Sequence, residues 1–189
     1  MLYKYRGTSS FRYLTDILLK QRLYAAPYFD LNDPMEGHYL MSASGRIDED
    51  MRQMLNSAKE KIRICSLSRA SDNPVMWSHY AEGHRGVVIG VTIMDPDCEI
   101  RPVNYDGPMK IGVHNFNANS PIDVLSRKLA AWEYEEEERA FIRSKYYIAV
   151  KTHEIILGSR MSNQDKSFIK DLCDKICPSI SITDAPKNV

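Results

Sequence analysis

The chain has 189 residues, with 25 basic and 25 acidic side chains and a formal net charge of zero. That length supports one domain with a substantial core, and the charge balance removes any global reason to expect nucleic acid or an anionic membrane as partner. No apolar run reaches membrane-spanning length, and Met1–Arg6 lacks the apolar core of a signal peptide, so the expected setting is cytoplasmic.

Leu2–Arg6 alternates and predicts a first strand, with Tyr3 and Tyr5 on one face and Lys4 and Arg6 on the other. The run Gly7 to Ser10 reads as a turn and cap. Phe11, Leu14, Ile17, Leu18 and Gln21 mark an amphipathic helix. Leu23–Ala26 reads as a second short strand, and Pro27–Gly37 as a polar loop with turn chemistry at Asn32-Asp33-Pro34. Asp48 caps a helix to about Lys61, with Met51, Met54, Leu55 and Ala58 inward, and Ile62–Leu67 is a strand.

The segment from Ser71 to Val91 organises the rest. Asn73 caps a helix with Pro74 in its first position, and Gly83 can take the left-handed conformation that ends it. Val87–Val91 follows as a short buried strand. Trp77, His79 and Tyr80, packed so closely before a core strand, read either as a pocket wall or as a core helix with bonded polar tips. Ile100–Tyr105 is a further strand that Pro102 demotes to an edge or a bulge. Gly107–Asn119 reads as loop.

Ser120 caps a helix with Asp123 at the capping-box position and a stripe of Ile122, Leu125, Leu129 and Trp132. Tyr146–Val150 and His153–Leu157 read as two strands, Ser162–Ile176 as a last amphipathic helix using Phe168, Ile169, Leu172 and Ile176, and Ser179–Thr183 as a closing strand. Strands and helices mixed without regular alternation predict a single α+β domain with a mixed or antiparallel split sheet and flanking helices. Cys65 and Cys98 stand alone, and Cys173 and Cys177 share a helical face; no zinc set is completed, so all four read as reduced thiols.

The acidic run Glu133 to Glu138 is flanked by Trp132, Phe141 and Ile142, which argues against a merely solvated stretch. As a strand it would point Glu133, Glu135 and Glu137 one way. Carboxylates in such a row need a compensating cation, metal or ligand, and Arg6, Arg85 and Arg139 are the candidates. Two of them close together can stabilise a developing cation or orient a hydroxyl. Asn32-Asp33-Pro34-Met35-Glu36 reads as a structural turn, as a loop beside the pocket, or as a metal loop. His79 and His84 share no helical face, and no metal pair is expected there.

Several motifs together resemble the bacterial domain-of-unknown-function family 2971. They are Tyr5-Arg6; Leu23-Tyr24-Ala25-Ala26-Pro27; Phe29-Asp30-Leu31-Asn32-Asp33-Pro34-Met35-Glu36; Ile64-Cys65-Ser66-Leu67-Ser68; Met76-Trp77-Ser78-His79-Tyr80-Ala81; His84-Arg85-Gly86; Val103-Asn104-Tyr105; and Trp132 to Arg139. Two departures stand out: Glu138 occupies the place of a Trp before the final Arg, and Leu31 is an insertion before Asn-Asp-Pro. The order of elements also resembles the ADP-ribosyltransferase fold, which opens with a strand bearing Arg or His and ends on a strand with Glu-x-Glu.

That second resemblance implies an enzyme using NAD as substrate and acting on an unidentified acceptor macromolecule. Glu137 would stabilise an oxocarbenium-like ribosyl transition state, Glu135 would orient the acceptor, and Arg6 would hold a ribose or phosphate oxygen. Tyr80, His79, Trp77, Asn32, Asp33 and Arg139 complete the implied cofactor-binding set, with no metal. Two other classes stay open: a metal-dependent hydrolase or nuclease using Asp33, Glu36 and the Glu135–Glu137 pair, and a noncatalytic binding module of a bacterial or phage conflict system.

Overall fold

In the computed structural model, which describes residues 1–9 and 11–186, the first strand of the chain becomes an inner strand of the sheet. The elements in order are β1 (Leu2–Arg6), α1 (Phe11–Lys20), β2 (Arg22–Tyr24), β3 (Ala26–Pro27), β4 (Tyr39–Met41), α2 (Glu49–Glu60) and β5 (Ile62–Ser68). They continue with α3 (Pro74–Tyr80), β6 (Val87–Ile93), β7 (Glu99–Pro102), β8 (Met109–Ile111), α4 (Ser120–Leu125), β9 (Glu137–Arg143), β10 (Tyr147–Leu157), α5 (Asn163–Ile176) and β11 (Ser181–Asp184). Short 3-10 turns cover Tyr28–Asp30 and Ala130–Glu135.

The main sheet runs β11-β10-β6-β1-β5-β9-β7, antiparallel except for the β10–β11 pair; β2 adds to β10 and β3 to β5. The fold is α+β, mostly antiparallel, with flanking helices. One face of the sheet carries Val87, Ile89, Val91 and Ile155, packed under Leu14, Ile17 and Leu18 of α1 and Ile169 and Cys173 of α5. The opposite face carries Tyr5 and Val88 under Met76, Trp77 and Ala81. The alternation of β1 is responsible: Tyr5 lies opposite Val88, while Lys4 and Arg6 lie opposite Ile89 and Val87. α2 and α4 close a smaller cluster around Leu55, Ile111 and Val124.

α3 forms where its caps place it. Asn73 accepts from the Val75 and Met76 amides, and Pro74 loses no hydrogen bond at the first position. Gly83 is left-handed, as its position after the helix predicts, but Glu82 and His84 on either side are left-handed too. The Glu82 carboxylate accepts from the Thr8 and Ser9 amides and so ties this turn to the end of β1.

Several sequence expectations need correction. Leu23–Ala26 is not one strand: it breaks at Ala25 so that β2 can pair with β10 and β3 with β5. The two strands expected over 146–157 are one, bent at a bulge between Thr152 and Glu154. β8 lies inside the stretch read as loop and pairs in parallel with β4, a strand that the sequence reading does not assign. α4 stops at Leu125, so Leu129 is exposed rather than part of a stripe, and Ser120 is the first helical residue, with Asn119 at the cap. In α2 Leu55 and Lys59 are buried and Met51 packs against the Leu55 cluster, whereas Met54 is exposed; in α5 Phe168 is exposed. Pro102 ends β7 at the edge of the sheet, where its missing donor costs no ladder bond. The four cysteines are free thiols. The cap expected over residues 7–10 includes Ser10, which lies outside the described residues.

Trp77 is fully buried, makes an edge-to-face contact with Tyr5 at 5.7 Å, and donates from Nε1 to the Ser71 carbonyl at 2.9 Å. Trp77→Ala should cost about 3–5 kcal/mol of folding stability, measured by urea unfolding. A change below about 1 kcal/mol would show that α3 is not a core helix.

Candidate functional site

The site begins with strands that part. β1 pairs with β6 at five positions but with β5 only at Tyr3–Ser68. Beyond that pair the two strands diverge. Lys4 reaches across the gap, and its Nζ donates to the Ser66 carbonyl at 2.7 Å, an acceptor that the ladder with β1 leaves unpaired. The opening is a cleft of about 340 Å³, within the lower range of small-molecule sites. Lys4 and Arg6 from β1, Ser66 and Ser68 from β5, Tyr80 from α3, and Lys128, Glu135 and Glu137 line it together.

Arg6, like Lys4, has no carboxylate partner among the described residues of the cleft. Its Nε is buried without a hydrogen-bond partner, and no ion pair to Arg6 exists among the described residues. Its guanidinium lies 5.9 Å from the centre of the Tyr13 ring. The strand end that carries it is fixed by close packing, since a Cβ on Gly86 would meet the Arg6 carbonyl at 2.1 Å. Burial pulls the Lys4 ammonium below the ordinary lysine range; Arg6 adds to this, while Glu137 and Glu135 oppose it.

The opposite wall is a buried charge network. Glu137 opens β9 directly beside Ser68 of β5. Its carboxylate accepts from Arg139 Nε at 2.9 Å and Arg139 Nη2 at 3.2 Å, and lies 3.0 Å from Lys128 Nζ. Lys128 Nζ also donates to Glu135 at 2.5 Å. On its far side the Arg139 guanidinium grips both oxygens of Glu36 and the Leu125 carbonyl. The Lys128, Arg139, Glu36, Glu135 and Glu137 side chains are each at most 5 % exposed, so every charge depends on its partners.

Burial works to raise the Glu137 pKa, but Arg139 and Lys128 outweigh it and hold the carboxyl down at about 2. For Glu36 burial wins over Arg139, and its pKa is raised. Burial lowers Lys128, but Glu137 and Glu135 outweigh it and hold it protonated. The site therefore presents an anionic Glu137 to the cleft across the whole physiological range. Tyr80 links the walls: its hydroxyl donates to Glu135 at 2.6 Å and accepts from Asn32 Nδ2 at 2.6 Å. Burial and the Glu135 carboxylate raise the Tyr80 pKa, so the hydroxyl keeps its proton.

Arg6, Tyr80, Asn32, Glu135 and Glu137 thus meet in one cleft. The other expected cofactor contacts do not line it. Trp77 is core beneath α3. His79 faces outward against the Tyr134 ring. Asp33 is buried and caps its own turn, accepting from the Met35 amide at 2.9 Å. Arg139 is fully buried behind Glu137 and acts as a positioning residue, not a ligand contact. The expected row of carboxylates on one strand is also corrected. Residues 130–135 form a 3-10 turn, Glu136 is left-handed, and the strand starts only at Glu137. Glu135 and Glu137 meet because both turn toward Lys128, while Glu138 points to the other side and pairs with Arg69.

Lys4 and Lys128 were not among the expected site residues. Lys4 shares a strand face with Arg6, a signal the alternation of β1 carries. Nothing local marks Lys128, which falls on the helix expected to reach Trp132. Arg85, a candidate countercharge, is exposed and takes no part in the network.

Arg139→Met should destabilise the fold by about 3–5 kcal/mol in urea, because Glu36 would be left buried without a cation and Glu137 would have to share Lys128 with Glu135. A loss under about 1 kcal/mol would mean that the network does not hold the site. The depressed pKa of Glu137 adds a pH signature. Its contribution is complete above the ordinary carboxylate range and is lost as the pH falls from about 4.5 toward 2, on the order of 3 kcal/mol. Glu137→Gln should flatten unfolding free energy against pH in that window; an unchanged slope would contradict the assignment.

Among the described residues, no three His, Cys, Asp or Glu side chains are grouped to hold a metal ion, and no helix is long and apolar enough to cross a membrane. Comparison of the chain with protein-family models, curated proteins and solved structures finds no match.

Proposed function

We propose that the chain is an ADP-ribosyltransferase-like enzyme that uses NAD as substrate, and that its motif resemblance to domain-of-unknown-function family 2971 reflects membership. The observation that carries this reading is the convergence of Arg6, Tyr80 and the Glu135–Glu137 pair, from three separate segments, on the opening between β1 and β5. The orphaned Arg6 guanidinium is suited to a ribose or phosphate oxygen, since its planar donors match such acceptors.

In the proposed reaction the bond between ribose C1′ and the nicotinamide nitrogen breaks. Its electron pair leaves with nicotinamide, which becomes neutral, and positive charge develops at C1′. Glu137, held ionised, stabilises that charge, and a preorganised contact of this kind is worth about 2.7–4 kcal/mol. An acceptor hydroxyl or water then bonds to C1′, and its proton passes toward Glu135, which Tyr80 and Lys128 orient.

One observation favours a second reading, a binding module without turnover. Both oxygens of Glu137 already accept from cations of the protein itself. The metal-dependent alternative draws less support. Glu36, Glu135 and Glu137 are each paired with Lys128 or Arg139, and Asp33 is engaged in its turn.

Nicotinamide release from NAD separates the two surviving readings. Wild-type protein should release it, and Glu137→Gln should lower the rate by about 10²–10³ while still binding NAD and staying folded at the assay pH. Binding without release would select the binding module. A Glu137→Gln variant with wild-type rate would remove Glu137 from the chemistry. Arg6→Ala should weaken NAD binding by calorimetry, and equal affinity would count against the role of Arg6.

A further inference from the structure

Beside the mouth of the cleft stands a group of three exposed tyrosines that nothing above uses. Tyr24, Tyr146 and Tyr147 are 43 %, 51 % and 40 % exposed. Tyr24 and Tyr146 lie with planes 8° apart and centres at 6.3 Å, and Tyr147 meets Tyr24 edge-on at 5.7 Å. The register explains the grouping: Tyr24 of β2 is directly opposite Tyr147 of β10, and the Ala25 amide donates to the Tyr146 carbonyl at 2.9 Å.

Two guanidinium groups order the rings. Arg22 sits 3.6 Å over Tyr147, and Arg63 sits 4.9 Å over Tyr146 while donating to its hydroxyl at 3.3 Å. Arg22 is charge-paired with Asp16, whereas Arg63 has no carboxylate partner among the described residues, and its Nε is buried without a hydrogen bond. Rings ordered in this way, with an uncompensated cation next to them, suit a flat heterocycle attached to a phosphate.

Tyr24 belongs to both features, since it also lines the cleft. The cleft's 340 Å³ is at the lower end of small-molecule sites, so a ligand the size of a dinucleotide extends beyond it. We infer that the tyrosine group is the subsite for the purine half of the substrate, with its phosphate toward Arg63, while the other half enters the opening between β1 and β5. This assignment rests on the reading of NAD as substrate, but the chemistry of the platform can be tested without turnover.

The test is calorimetric titration of the whole protein with AMP, nicotinamide mononucleotide and NAD. Tyr146 is the residue to vary, because it lies outside the cleft lining. Tyr146→Ala should weaken AMP and NAD by about tenfold, the scale of one base–aromatic stack, and leave nicotinamide mononucleotide unchanged. Tyr146→Phe should keep wild-type affinity, which separates loss of the ring from loss of the hydroxyl. AMP binding that depends on Tyr146, in a protein that never releases nicotinamide, would uphold the subsite while the turnover reading fails. Equal AMP affinity in wild type and Tyr146→Ala, or equal losses for AMP and nicotinamide mononucleotide, would overturn it. Binding of a single-stranded oligonucleotide through Tyr146, with no AMP binding, would also overturn it and make the platform a nucleic-acid surface.

Discussion

Two carboxylates buried side by side cannot stand without cations, and Lys128 and Arg139 supply them. This constraint fixes more of the molecule than any single apolar contact. Arg139 reaches from β9 to Glu36 and to the end of α4, so the loop after β3, the last turn of α4 and the first residue of β9 are held by one guanidinium. Lys128 joins the 3-10 turn to the strand by contacting Glu135 and Glu137 together. Replacing such a network with apolar residues is often neutral or stabilising in proteins, so its place in a cleft wall directs attention to what the charges do beside their effect on stability.

The second determinant is the divergence of β1 and β5. A continuous ladder there would bury Lys4 and Arg6 against the α1–α5 core with nothing to compensate them. The strands part after one pair, and the gap is lined by the polar residues of both. Lys4 takes up a stranded carbonyl, and Arg6 remains available to a ligand. The cleft thus has a cationic side on β1 and an ionised carboxylate on β9, with Tyr80 spanning toward Asn32 and Glu135. A nucleotide, anionic at its phosphates and electron-poor at a departing glycosidic carbon, matches that polarity.

Much of this was legible before any coordinates. The alternation of Leu2–Arg6 set Arg6 on a strand face, the Asn73-Pro74 cap fixed α3, and the apolar flanks of Glu133–Glu138 marked that run as more than surface. Trp77 and Tyr80 stood out as rings on a short helix before a core strand, although residue type cannot say which of two neighbouring rings faces a cleft and which faces the core. The charge pairing was not legible. Lys128 lies seven residues before Glu135, and only the irregular turn between them brings the two together. Glu36 and Arg139 are 103 positions apart and meet through the sheet. The left-handed residue at Glu136 also escaped, because a non-glycine residue gives no local sign of it, and that one residue converts an expected carboxylate row into a pair facing a lysine.

The central claim is that the opening between β1 and β5 receives a nucleotide with its glycosidic carbon toward Glu137. A crystal structure of the Glu137→Gln protein with NAD bound tests it most directly. The account predicts a ribose hydroxyl within hydrogen-bond reach of residue 137 and an oxygen of the ligand on Arg6. NAD seated elsewhere, or a ligand in the cleft that touches neither residue, would contradict it.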